Sequence, residues 1–248
     1  MIHLKTVLLA FLAFIASSPV LSQTVAVTVA AKEELPYFGR NLPGQGLSAE
    51  IVRTALERAG YSPSFVFKTW ADTYEGAQIG VYDIVGSIWY TEERAKEFAF
   101  SEPYLFHEIK FIKRKDGQAI TFKTLDDLDG LIIGTVKGYA YRDDFLQSKK
   151  FIRVQQNHLL QNLNALALGE IDLTPGEARK IRYVLNEYMK GSIEKLEMLP
   201  TPLIRRGTHI AVSRTNPKHE EIISRFNKAL QEMKADGTYD RIVEKHAY

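Results

Sequence analysis

Among the 248 residues, the side chains with a recognisable chemical role are suited to holding a small molecule rather than to breaking bonds. Arg94, in Thr91-Glu92-Glu93-Arg94, offers two parallel guanidinium donors to a carboxylate and stays charged when desolvated. Glu93 and Glu97 are close enough in sequence to make it an ordinary surface ion pair instead. Trp70 and Trp89 supply flat faces for a ligand, with a cation–π contact open to a basic one. Each suits a ring packed on the chain's own core equally well. Glu177 follows Thr174-Pro175-Gly176, where a first-turn glutamate would favour a helix dipole.

No His-x-x-x-His, cysteine cluster or acidic calcium loop occurs, so neither a metal site nor a cofactor is expected. A Gly-x-Ser-x-Gly elbow and a phosphate-cradling glycine loop are missing too. His107, His158, His209, His219 and His246 are scattered and read as surface or connecting residues.

The elements that must position these groups alternate between strand and helix. Val25–Ala30 is a β-branched apolar run and reads as a strand. A loop rich in Pro and Gly follows over 32–45. Leu47, Ile51, Val52, Ala55, Leu56 and Ala59 recur at helical spacing, with Ser48 as a cap and Gly60 as a stop. Strands over 64–68 and 83–87 flank a helix from Trp70 to Ile79.

After the polar stretch 113–117 the alternation restarts. Strands are expected over 131–136, 151–154, 171–174 and 209–213, and helices over 139–147, 159–168 and 178–189. A last helix carries Ile222, Ile223, Phe226, Ala229, Leu230 and Met233 on one face. Such alternation implies parallel sheets covered on both faces, here in two successive α/β units.

Composition is that of an ordinary globular protein, 45% hydrophobic and 25% charged. Lys5 precedes an uncharged apolar run, Val7 to Ala16, and Pro19 then breaks it before Val20-Leu21-Ser22. This is the pattern of a signal peptide, with cleavage expected near Ser22 and a periplasmic product. The run is shorter than the roughly 20 residues that a membrane span needs, although a retained anchor is the other reading. The absence of cysteine argues against a lipid-modified N-terminus and against a disulfide-stapled scaffold. Loss of Lys5 would take the net charge from +2 to about +1. That balance suggests neither a nucleic-acid partner nor an anionic membrane surface.

Three stretches together resemble the amino-acid-binding family of periplasmic solute receptors, family 3. They are Tyr82-Asp83-Ile84-Val85-Gly86-Ser87 with Thr91-Glu92-Glu93-Arg94 and Phe100-Ser101-Glu102-Pro103-Tyr104; Leu125-Asp126-Asp127-Leu128-Asp129-Gly130; and Met233-Lys234-Ala235-Asp236-Gly237-Thr238-Tyr239. The resemblance implies the type II periplasmic binding fold: two Rossmann-like α/β lobes joined by two crossover strands, with the ligand in the cleft between them. Residues 1–22 would be the signal peptide, 23–107 and 204–248 lobe one, and 108–203 lobe two.

The same resemblance implies roles for individual residues. Arg94 would pair with the ligand's α-carboxylate, next to backbone and hydroxyl groups at Ser87. Trp70 and an aromatic near Tyr37 or Phe38 would wall the ligand side chain. Gly138-Tyr139-Ala140 would lie at a helix N-terminus whose amides face the anion, and Glu177 would take the α-ammonium. Three departures stand out: Trp89 replaces a hydroxyl residue, Tyr139-Ala140 lacks hydroxyls beyond the ring, and Glu177 replaces a shorter acid.

The implied function is binding an amino acid or similar carboxylate-bearing solute for delivery, as a monomer, to an inner-membrane ABC permease. A sensing receptor of the same fold is one alternative. The other is an enzyme similar to the cyclohexadienyl dehydratases, with Glu177 as general acid if burial raised its pKa.

Overall fold

In the computed structural model, residues 24–247 are described, so the expected signal peptide lies outside them. The elements of the first unit are β1 (Val25–Lys32), α1 (Leu47–Arg58), β2 (Tyr61–Lys68), α2 (Trp70–Gln78), β3 (Ile84–Ile88), α3 (Glu92–Glu97) and β4 (Phe98–Phe100). The long strand β5 (Leu105–Arg114) then leads to β6 (Ile132–Val136), α4 (Asp143–Gln147), β7 (Ile152–Gln156), α5 (Leu159–Leu168), β8 (Thr174–Glu177) and α6 (Ala178–Tyr188). An 18-residue strand, β9 (Leu196–Ser213), returns the chain, and α7 (His219–Ala235) and α8 (Thr238–Lys245) close it.

β1 runs parallel to both β2 and β3, as alternating β and α segments require. The sheet is nevertheless mixed, because β9 lies antiparallel to β3, β4 and β5, and β5 antiparallel to β8. β6 and β7 form a separate parallel pair, tied to the segment before β8 by a single bridge, Ile133 to Leu173. β5 and β9 are the two crossover strands. They stay paired from Leu105–Thr208 to Arg114–Leu196, and the register slips around Lys110. Such slips bend a strand pair, here between the two lobes.

Each lobe has its own core. In lobe one Val29, Ile51, Leu56, Ile84, Phe226 and Leu230 are fully enclosed, and the α7 residues expected on one face are all buried there. In lobe two Phe145 packs against Phe111, Tyr141 and Phe151 at ring-centroid distances of 5.9, 5.5 and 5.0 Å. Aromatic pairs of this kind add about 0.5–1.5 kcal/mol each beyond area burial.

Several local expectations are corrected. Ser48 is not the cap of α1 but is buried within its first turn, and Gly46 precedes the helix at φ +103°. A Cβ at Gly46 would stand 2.5 Å from the Tyr37 carbonyl oxygen, so only glycine permits this approach. No helix begins at Tyr139; α4 starts at Asp143, because the buried Tyr141 hydroxyl receives a hydrogen bond from Val136 N and donates to Pro175 O. The strand expected at 171–174 lies at Thr174–Glu177, where β5 supplies its ladder partner. The polar stretch at 113–117 begins inside β5: Lys113 is next to last in that strand, nearly buried, with Glu197 at 2.7 Å.

Candidate ligand-binding site

A cleft of about 370 Å³ lies between the lobes. All seven candidate residues line it: Tyr37, Trp70, Ser87, Trp89, Arg94, Tyr139 and Glu177. Lobe one contributes from the C-terminal ends of its strands, the edge at which open α/β sheets place ligands.

Arg94 owes its position to a short helix. The Thr91 hydroxyl caps α3 by accepting from Arg94 N at 3.2 Å, which explains the Thr-x-x-Arg spacing. The guanidinium donates from Nη1 to the Trp89 carbonyl at 2.8 Å and lies 5.1 Å from the Trp70 ring centroid. It forms no ion pair with Glu93 or Glu97; Glu97 instead accepts from the Tyr74 hydroxyl at 2.6 Å. Trp70 opens α2, where Thr69 caps the helix. Trp89 follows β3, and its ring carries the Arg206 guanidinium at 4.9 Å. Ser87 shares a hydrogen bond of 3.0 Å with the Thr208 hydroxyl on β9.

Tyr37 is held by the start of α1. Ser48 N and Ala49 N both donate to its carbonyl, at 3.0 and 3.3 Å, and Leu47 N donates to Pro36 O at 3.2 Å. Its side chain is buried against His107, with ring centroids 4.5 Å apart. Burial raises the Tyr37 phenol well above its usual pKa, and the Glu177 carboxylate raises it further.

Glu177 ends β8 and caps α6: its Oε2 accepts from Lys180 N at 2.8 Å. The side chain is only 4% exposed. Among the described residues neither its Oε1 nor the Tyr37 hydroxyl has a hydrogen-bond partner of good geometry, although the two groups lie close enough, with Arg179 beside them, to shift the phenol's pKa. A buried acceptor without a donor costs stability, about 1–3 kcal/mol and more when charged, and is therefore a place for a ligand donor. Tyr139 stands in the turn after β6, and burial, reinforced by Glu177, raises its phenol pKa too. The helix expected to begin at Tyr139 is absent and the Tyr139 amide donates to Val136 O within the turn, while Gly138, Tyr139 and Ala140 line the cleft.

The floor of the cleft was missed from sequence. His107, expected at the surface, faces inward from β5 beside Ile109, and its Nδ1 is 3.8 Å from Glu177 Oε1. Burial lowers its pKa from 6.5 against the opposing pull of Glu177 and Glu34. Opposite it on β9 is Arg206, stacked on Trp89, and Thr208 is fully buried and holds Ser87. Period-two alternation of Leu105, His107, Ile109 and Phe111 was the available signal. Lys32, Glu34 and Lys180 line the rim, with Lys180 Nζ 3.5 Å from Glu34 Oε1 across the cleft. His246 is also buried, against Glu50 Oε2 at 2.7 Å, far from this site.

No group of His, Cys, Asp or Glu able to hold a metal ion occurs among the described residues. Among them, no helix is long and apolar enough to cross a membrane.

A profile of the bacterial extracellular solute-binding proteins, family 3, matches residues 27–247. The ABC transporter arginine-binding protein 1 of Escherichia coli K12 is 25% identical over 214 residues, covering 84% of each chain. The L-cystine-binding protein TcyJ of the same organism is 24% identical over 202 residues, 81% of this chain and 73% of that one. Among solved structures, the unliganded open L-cystine solute receptor of Neisseria gonorrhoeae superposes with a TM-score of 0.74. It shares 21% identity, over 91% of this chain and 94% of the receptor, a likeness of fold.

Proposed function

The chain belongs to the bacterial extracellular solute-binding proteins, family 3, and from that premise we propose that it binds an α-amino acid, or a similar small carboxylate-bearing solute, in the interlobe cleft. Delivery is to an inner-membrane ABC importer, from the periplasm, as a monomer released by cleavage near Ser22. The proposed lobe limits are 23–107 with 204–248, and 108–203.

One observation carries this reading. The unpartnered, buried Oε1 of Glu177 shares a cleft with an Arg94 guanidinium that no carboxylate neutralises among the described residues. A zwitterion supplies both missing partners at once. Its carboxylate takes two donors from Arg94, and its ammonium donates to Glu177 and to the Tyr37 oxygen. Trp70 and Trp89 wall the remaining part. Closing the lobes removes water and strengthens each of these contacts.

The relatives are named as binding proteins, and we read this chain as one without catalysis. The test is thermal unfolding of the mature protein with amino acids, small carboxylates, polyamines and prephenate. A ligand at 100 times its Kd stabilises by about 2.7 kcal/mol, a shift of roughly 5–10 °C for a chain of this size. Such a shift with an α-amino acid, lost in Arg94→Ala, is expected. Phenylpyruvate released from prephenate would instead establish an enzyme.

A further inference from the structure

We infer that the natural ligand carries a second anionic group, recognised by Lys32 and Arg206. This rests on the amino-acid-binding reading and narrows it to one ligand class.

The argument is a balance of charge around the cleft. Lys32, Arg94, Lys180, Glu34 and Glu177 line it, and Arg206 on β9 stacks over the ring of Trp89 and acts electrostatically on Tyr139, both lining residues. Lys180 and Glu34 neutralise one another at 3.5 Å. Burial favours the neutral form of His107. Arg179, on α6, donates to Phe106 O at 3.0 Å and adds a positive charge beside Tyr37 and His107. Lys32, Arg94 and Arg206, with Arg179 beside Tyr37, therefore stand against one carboxylate, and none of these cations forms an ion pair among the described residues.

An α-amino acid's own zwitterion uses Arg94 and Glu177. Lys32 and Arg206 are left over. The two lie along one edge of the lobe-one sheet. β1 and β3 pair as Val29–Ile84 and Ala30–Val85, and that register continued two residues brings Lys32 level with Ser87. Ser87 is bonded to Thr208, two residues from Arg206 on β9.

Trp89 fixes the spacing between the two guanidinium groups. Its carbonyl accepts from Arg94 and its ring carries Arg206. An α-carboxylate on Arg94 thus leaves the Arg206 side of Trp89 for a second anion. Leaving two cations uncompensated on closure is unfavourable, and a ligand anion offsets that cost where a neutral or basic side chain cannot.

The experiment measures calorimetric Kd values for pairs differing only in the second anion: L-aspartate and L-asparagine, L-glutamate and L-glutamine, O-phospho-L-serine and L-serine. L-arginine, L-histidine and L-methionine complete the panel. At least one acidic member should bind tenfold or more tightly than its neutral partner, and Lys32→Met and Arg206→Met should each draw that ratio toward one. If Arg206→Met does not fold, Lys32→Met, at the exposed end of β1, reads the same ratio. Neutral or basic amino acids binding best would overturn the second anion and leave the amino-acid reading standing. No binding of any α-amino acid would overturn both.

Discussion

His107 Nδ1 stands 3.8 Å from Glu177 Oε1, too far for a hydrogen bond and close enough for an ion pair once the imidazole is protonated. The two come from β5 and β8, antiparallel neighbours in the crossover region, and share the cleft with Tyr37 and Tyr139.

That pair makes ligand affinity sensitive to acid. Burial lowers the His107 pKa from 6.5, Glu177 and Glu34 pull it up, and Arg179 pushes it down. Arg206 faces it from β9 and Lys180 stands on the cleft rim. With the folded pKa below the unfolded one, the unfolded chain binds a proton first. Stability therefore falls as pH drops below about 6.5 and stops falling below the folded pKa. A ligand ammonium on Glu177 competes with that proton, so Kd should rise as pH falls through the lowered folded pKa, below the stability window, and the rise should vanish in His107→Gln. An imidazole pKa above 6.5 by NMR would contradict this account.

Arg94→Ala should abolish most binding while the fold persists. Truncating one partner of a desolvated charged contact costs about 2–5 kcal/mol, or roughly 30-fold to several thousand-fold in Kd. The guanidinium's contacts within the protein are one carbonyl and the Trp70 face, so the ligand-free melting temperature should change little. Calorimetry with unchanged affinity would remove Arg94 from the site.

Glu177 has two roles that one substitution separates. Its Oε2 caps α6 and its Oε1 is free. Glu177→Ala should lose the cap, about 1 kcal/mol, together with ligand affinity. Glu177→Ser keeps a capping oxygen but no charge, so the urea midpoint should stay near that of the parent while Kd rises at least tenfold. Parental affinity in the serine variant would mean the carboxylate serves the helix alone.

A second acid-sensitive contact fastens the C-terminal helix. Burial would raise the Glu50 pKa, but hydrogen bonds from Lys245 and His246 outweigh it, and the net shift is below 4.5. The carboxylate therefore adds stability above its unfolded pKa, and that stability is lost as pH falls through the lower folded value. Glu50→Gln should destabilise at pH 7 and lose less at about pH 3.5, read by urea unfolding. An equal loss at both pH values would exclude the charge as the cause.

Sequence alone determined what short-range pattern can specify. Leu159–Leu168 was legible as a helix because its apolar spacing is helical and Gly169 ends it at φ +79°. The apolar face of α7 was legible in the same way. Trp70, Ser87, Trp89 and Arg94 were found through the family resemblance of neighbouring segments, and for Arg94 the local reason is its Thr91 cap. Tertiary structure decided the rest. Tyr139 and Tyr141 read as the start of a helix, but the Tyr141 hydroxyl is bonded to Val136 N and Pro175 O, and those distant acceptors and donors override helical propensity. His107 lines the cleft with Arg206 opposite it only because β5 and β9 pair antiparallel in one register. No local signal encodes which residues of two remote strands stand opposite one another, since a shift of one residue would turn every one of them to the other face.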